Sequence, residues 1–140
     1  MEEVAYESNI NQAVASKKRP WAGYIISALP VLFLLVDGTM KLFKPEIVIK
    51  ATTDLGYPES TIVPIGITLV ACTILYIIPQ TAIFGAILLT GYLGGAVATN
   101  VRVGTPLFTH ILFPVYVACF LWVGLYLRES RLRALVPLRS

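Results

Sequence analysis

The chain has 140 residues, of which 56% are hydrophobic and 14% are charged, and its mean hydropathy is +0.76. A soluble domain is about half apolar and about a quarter charged, so this composition excludes an ordinary soluble protein and predicts an integral membrane protein. The formal net charge of +3 comes with no nucleic-acid motif. We therefore expect membrane lipids, and no nucleic acid, among its partners.

Four segments are apolar and long enough to cross a bilayer, which takes about 20 residues of helix. They cover about residues 21–43, 61–78, 81–99 and 107–127. Only Pro79 and Gln80 separate the second segment from the third, so these two helices must form a tight hairpin. The predicted fold is all-α, a polytopic membrane protein whose four transmembrane helices form an antiparallel bundle over residues 21–127.

Four spans place both termini on one side of the membrane, and basic residues indicate which side that is. The terminal side carries seven and the opposite side four, namely Lys17, Lys18, Arg19, Arg128, Arg131, Arg133 and Arg139 against Lys41, Lys44, Lys50 and Arg102. The positive-inside rule then predicts cytoplasmic termini. Residues 1–20 lack a sustained apolar period and are predicted to be a mobile cytosolic tail, and residues 128–140 a basic cytosolic tail.

The first outer loop carries helix signals of its own. Pro45 and Glu46 are typical of a helix start, and Gly56 with Pro58 is typical of a helix end. Between them a short amphipathic helix is predicted, which lies on the outer interface with one apolar face, formed by Ile47, Val48, Ala51 and Leu55.

The third span contains the pattern Gly91-x-x-x-Gly95, in which small residues allow helices to approach closely. We expect packing inside the bundle, with contact to a second copy of the chain as the alternative.

Polar side chains gather at the predicted outer ends of three spans, and form the candidate binding pocket: Asp37, Lys41, Tyr92, Thr99, Asn100, Arg102 and His110. An ionisable residue within a span costs about 2.5–3.5 kcal/mol on insertion scales, so it usually faces the bundle interior and finds a partner. Asp37 and Lys41 are four residues apart, the spacing of a helical ion pair. If the third helix continues past Thr99, then one stripe of it carries Tyr92, Gly95, Thr99 and Arg102.

Each charged or titratable residue in this set also has a structural interpretation. Asp37 either fixes the bundle through an ion pair with Lys41 or Arg102, or belongs to a proton or ligand site. Lys41 can simply reach the interface, and Arg102 can be a solvated loop charge. His110 either hydrogen-bonds between helices or handles a ligand or proton beside the kink expected at Pro114. One histidine with scattered acids is a weak ligand set, so no metal site is predicted.

Five features of the sequence carry a family resemblance: "VDGTMKLFKPE", "LGYPES", the Pro79-Gln80 turn, "GGAVATNVRVGTPLFTHILFPVYV" and "LYLRESRLRALVPLR". They resemble the DoxX-like family of small four-helix bacterial membrane proteins, over about residues 21–140. The resemblance implies a bacterial inner-membrane location. In that family a histidine often stands where this chain has Asn100, which implies one titratable group fewer here.

Two functions are carried forward. The first is a non-catalytic membrane subunit or small-molecule binding protein that holds a lipid or quinone in the outer pocket, beside a membrane protein partner or a second copy of itself. The DoxX and DoxD relatives are associated with thiosulfate:quinone oxidoreductase and redox homeostasis, which implies the alternative, a subunit of a quinone-linked oxidoreductase. In that alternative Arg102, His110 and Asp37 handle protons. No cofactor motif is evident, so a quinone is the one cofactor considered, and no stand-alone activity is expected.

Overall fold

The computed structural model describes the backbone of residues 1–136 and the side chains of residues 1–12 and 21–136. Within residues 1–136, six α-helices follow one another: α1 (Glu2–Phe43), α2 (Glu46–Asp54), α3 (Ile62–Ile77), α4 (Ala82–Val103), α5 (Phe113–Arg128) and α6 (Ser130–Leu135). A single 3-10 turn (Glu59–Thr61) precedes α3, and a π-helical segment (Leu107–Ile111) precedes α5. The side chains of Lys17, Lys18 and Arg19, and all of Arg139, lie outside the described residues.

Four helical segments are long and apolar enough to cross a membrane: Trp21–Phe43, Glu59–Ile77, Ala82–Val103 and Leu107–Arg128. They confirm the four predicted spans to within a few residues at each end. Large apolar side chains such as Ile67, Phe84 and Phe120 lie exposed on the outside of these helices. Such a surface suits lipid chains and not water. The protein is therefore a multi-pass membrane protein with an all-helical fold.

The first helix is longer than its membrane span. It begins at Glu2 and has 42 residues, which at 1.5 Å per residue gives a length of about 63 Å. Residues 2–20, predicted as a mobile tail, thus continue the first span as helix. Glu2 and Glu3 stand in its first turn, where carboxylates favour the positive end of the helix dipole. The side of the membrane on which this extension lies stays a prediction.

The four spanning helices form a ring. Helix α1 packs against α3 and α5, and α4 packs against the same two helices. We call the end of the bundle that holds Trp21, Ile77, Ala82 and Arg128 the terminal end, because both termini leave from it. The opposite end, where α2 lies, is the loop end.

The helices of the terminal end are in close contact through glycines. A Cβ atom at Gly23 would lie 2.8 Å from the carbonyl oxygen of Gly124, so α1 and α5 touch backbone to backbone. A Cβ atom at Gly85 would overlap the backbone of Tyr76, so α4 and α3 touch as well. This closeness brings Tyr76 into the centre of the bundle, where it is fully buried.

The buried hydroxyl of Tyr76 joins three helices. It donates to the carbonyl oxygen of Leu121 at 2.6 Å and, because its one proton is used there, it accepts from the hydroxyl of Ser27 at 3.0 Å. The guanidinium of Arg128 lies 4.7 Å from the Tyr76 ring centre and donates to the Tyr76 carbonyl at 3.0 Å. The buried hydroxyls of Tyr76 and Ser27 are therefore satisfied at the terminal end, and Arg128 Nε is the one buried side-chain polar atom among the described residues that has no hydrogen-bond partner.

The loop end is more open. Helices α1 and α3 still touch there, since a Cβ atom at Gly66 would lie 3.0 Å from the carbonyl oxygen of Gly38. A Cβ atom at Gly91, Gly94 or Gly95 on α4, by contrast, would meet nothing within 4 Å. The expectation that Gly91 and Gly95 pack closely against another helix inside the bundle is therefore wrong, because open space and not a helix surface lies next to both positions. Contact with a second copy of the chain stays a prediction.

Candidate ligand-binding cavity

A cavity of about 610 Å³ lies at the loop end, between α1, α4 and the start of α5. Its walls are largely apolar and include Leu34, Leu93, Ala96 and Val117. Ligand sites in proteins typically have volumes of about 300–1,000 Å³ and mostly apolar walls with a few polar groups. In size and composition the cavity suits a small organic molecule.

The cavity collects six of the seven predicted pocket residues, namely Asp37, Lys41, Tyr92, Thr99, Asn100 and His110. Helix α4 continues past Thr99 to Val103, and this continuation places Asn100 at the cavity. The seventh residue, Arg102, is exposed and does not line the wall.

The two charges in the wall neutralise each other. The Lys41 ammonium lies 2.5 Å from the Asp37 carboxylate, and the two side chains are 16% and 35% exposed. The spacing of four residues places them on adjacent turns of α1. Because the pair leaves no net charge, the cavity favours a neutral ligand over an ion.

A segment that we call the roof, residues 52–57, covers the cavity at the loop end. Thr52, Leu55 and Tyr57 line the cavity from this segment. Helix α2 begins after Pro45 and ends before Gly56, as predicted, but it turns Thr52 inward and leaves Ile47 71% exposed. Gly56 has a φ of 86°, a left-handed conformation that favours glycine. This bend directs the roof back across the bundle.

Arg102 holds the roof in place. Its guanidinium donates to the carbonyl oxygen of Leu55 at 2.8 Å and lies 5.9 Å from the ring centre of Tyr57. The Tyr57 hydroxyl is 2.7 Å from the Thr99 hydroxyl. Thr99 gives its own proton to the Gly95 carbonyl, so Tyr57 is the donor in that contact. Arg102 thus positions the roof and does not reach a ligand in the cavity.

Two of the predicted pocket residues are already engaged by the protein. The Asn100 amide donates to the Ala96 carbonyl at 2.9 Å, and its oxygen accepts from the Thr105 hydroxyl at 3.0 Å. The Thr99 hydroxyl donates to the Gly95 carbonyl and accepts from the Tyr57 hydroxyl. Both residues therefore shape the end of α4 more than they offer groups to a ligand.

Tyr92 and His110 each keep a polar atom available to a ligand. The hydroxyl of Tyr92 makes no hydrogen bond with any residue that the structure describes. His110 lies in the π-helical segment, and its Nδ1 is 2.8 Å from the Thr109 hydroxyl. Its Nε2 makes no hydrogen bond among the described residues. The phenol and the imidazole are thus the groups best placed to orient a ligand.

Sequence reasoning missed the roof tyrosine and an aromatic pair. Tyr57 stands between Gly56 and Pro58, and an aromatic residue inside a turn was the one available signal. The rings of Phe33 and Phe113 meet edge to face with centres 5.2 Å apart and both line the cavity. Nothing in the local sequence indicates that partnership, because the two residues are on different helices.

Comparison with known proteins gives a family. A family model described as the DoxX-like family matches residues 25–124. The chain belongs to the DoxX-like family. No curated protein and no solved structure matches it. The matched residues of this DoxX-like protein include the whole loop-end cavity and end before α6. The part of the chain that matches the family therefore contains the candidate site.

Proposed function

We propose that this DoxX-like protein binds a neutral amphiphilic small molecule, of lipid or quinone type, in the loop-end cavity. The observation that carries the proposal is a cavity of about 610 Å³ whose apolar wall holds an internally neutralised ion pair and two polar atoms without a hydrogen bond among the described residues, the Tyr92 hydroxyl and the His110 Nε2. An apolar wall of this kind receives a ring or chain, and Tyr92 and His110 orient a polar head. A ligand group that hydrogen-bonds to the Tyr92 hydroxyl or to the His110 Nε2 adds to the binding free energy.

The test is ligand retention. The protein is extracted in mild detergent and the bound small molecules are identified by native mass spectrometry. Tyr92→Phe and His110→Ala each remove one orienting group and should lower occupancy. Tyr116→Phe is the matched control, because Tyr116 is 44% exposed and does not line the cavity. Equal occupancy in wild type and in both cavity variants, or a wild type with no bound molecule, would contradict the proposal.

The alternative function is the quinone site of a membrane oxidoreductase. The observation that favours it is that His110 and Asp37, which both exchange protons, line the same cavity. Reduction of a quinone takes two protons and two electrons, so a partner protein with a redox cofactor would have to supply the electrons. Quinone reduction in membranes that is lost in His110→Ala, with the quinone still bound, would favour this alternative over simple binding.

The proposed location is the bacterial inner membrane with both termini in the cytoplasm, which turns the loop end outward. The distribution of basic residues supports this orientation. Two fusions after Ser140 test it. If the C-terminus is cytoplasmic, a fluorescent protein fused there should be bright and an alkaline phosphatase fused there should be inactive. The reverse result would place the cavity on the cytoplasmic side.

A further inference from the structure

The cavity reaches the surface of the bundle at the level of the bilayer. Gly91 and Gly95 both line it, and both are exposed. Gly91 is the tenth of the 22 residues of α4, so it lies close to the middle of that helix and of the membrane. Gly95 is about 6 Å nearer the loop end at 1.5 Å per residue. We call this pair the side opening.

The roof covers part of the same cavity toward the loop end, beside Thr109 and His110, which line the cavity and are exposed. Three contacts fix the roof and the chain beside it: Arg102 to the Leu55 carbonyl, Tyr57 to Thr99, and Lys44 to Glu59 at 3.0 Å. Thr52, on the underside of the roof, is 9% exposed. The roof therefore narrows the approach from the loop end, whereas a molecule dissolved in the bilayer meets the side opening.

Resting on the proposed function, we infer that the ligand is a membrane-dissolved molecule with a long apolar chain, whose head occupies the cavity and whose chain leaves through the side opening into the lipid. Tyr92 is the residue next to Gly91 on α4, while the charged pair on α1 and His110 in the π-helical segment lie nearer the loop end than Gly91 does. A head held by them directs its chain toward the bilayer middle. Gly91 and Gly95 leave the passage free of side chains.

The experiment tests whether the side opening acts on the apolar chain of the ligand or on its polar head. Probes are a benzoquinone with a decyl chain and its chainless parent, each radiolabelled, with the protein in nanodiscs. Gly95→Leu and Gly91→Leu place a side chain in the opening, and since a Cβ atom there meets nothing within 4 Å, both should fold. Gly94→Leu is the control, because Gly94 has equal space and does not line the cavity. Thermal unfolding of each variant verifies folding.

We expect Gly95→Leu and Gly91→Leu to weaken the decyl compound about tenfold or more, about 1.4 kcal/mol of binding free energy, and to leave the chainless compound unchanged. Gly94→Leu should alter neither. Unchanged binding of the decyl compound, or equal loss of both compounds, would overturn the side opening while the proposed cavity stands. A change only in the size of the complex would overturn it in favour of a second copy on these glycines. Failure of both probes to bind wild-type protein would instead count against the proposed function.

Discussion

Replacement of Arg102 by alanine should loosen the roof without unfolding the bundle. The change removes a hydrogen bond to the Leu55 carbonyl, worth about 1 kcal/mol, and a cation–π contact with Tyr57, worth about 0.5–1 kcal/mol at an exposed site. The free energy that holds the roof closed should fall by about 1.5–2 kcal/mol. Since 1.4 kcal/mol is a factor of ten, the open fraction should rise about tenfold to thirtyfold.

Hydrogen exchange measures that fraction directly, because the roof contains protected amides. The Gly56 N–H donates to the Thr53 carbonyl at 2.9 Å and the Tyr57 N–H to the Thr52 carbonyl at 3.3 Å. Both amides should exchange faster in Arg102→Ala by the factor given above, while the centres of the spanning helices keep their rates.

The matched control is at the other end of the molecule. Arg131 also donates to a distant backbone carbonyl, that of Pro79, at 3.0 Å. Arg131→Ala should speed exchange near the α3–α4 turn and leave the roof unchanged. If roof exchange in Arg102→Ala equals that of wild type, the Tyr57–Thr99 contact alone holds the roof, and Arg102 is the solvated charge that the sequence also allowed.

Three further predictions concern the terminal end. Gly85→Ala should cost about 1–3 kcal/mol by overpacking against the Tyr76 backbone and lower the unfolding midpoint in detergent, whereas Gly94→Ala should keep or raise it; equal midpoints would contradict the close contact. Tyr76→Phe removes the buried hydrogen bonds of the Tyr76 hydroxyl to Ser27 and to the Leu121 carbonyl and should cost about 1–2 kcal/mol in an unfolding titration, which a value near zero would refute. A hydrogen bond from Arg131 is the main cause that lowers the pKa of Glu129. Arg131→Ala should therefore raise the pKa of Glu129 in an NMR titration. Because the folded protein lowers this pKa, ionised Glu129 stabilises the fold at pH values above the ordinary carboxyl pKa, and this stabilisation is lost as the pH falls through the lowered pKa.

The spans and α2 were predictable because their signals are local. An apolar run of sufficient length has one stable arrangement in a bilayer, since a helix satisfies its own backbone hydrogen bonds. Pro45 and Gly56 then mark the ends of α2 by backbone geometry alone. Helical periodicity also predicted that Tyr92 and Thr99 share one side of α4, and both line the cavity, whereas Arg102, predicted on the same stripe, does not.

Residues 2–20 escaped prediction because an apolar period reports burial and not helicity. Residues 2–20 contain no glycine, and they are joined to a span that is already helical. Extension of an existing helix avoids the cost of starting a new one.

The environment of Gly91 and Gly95 escaped prediction for a different reason. A small-residue pattern permits close approach but does not create it, and the position of the neighbouring helices decides between a contact and a gap. Arg102 and Tyr57 show the same dependence on tertiary structure, because their partnership joins residues 45 positions apart in the sequence.

The difference between the two ends of the bundle bears on how freely the site can change. At the terminal end an added methyl group at Gly85 or Gly23 meets backbone atoms, so those positions are fixed by the fold. At Gly91 and Gly95 an added side chain meets open space. Single substitutions there can set the width of the passage without disturbing the helices around it. The same helix bundle can thus accept ligands whose apolar chains differ in thickness or branching, because the close contacts at the terminal end provide its stability.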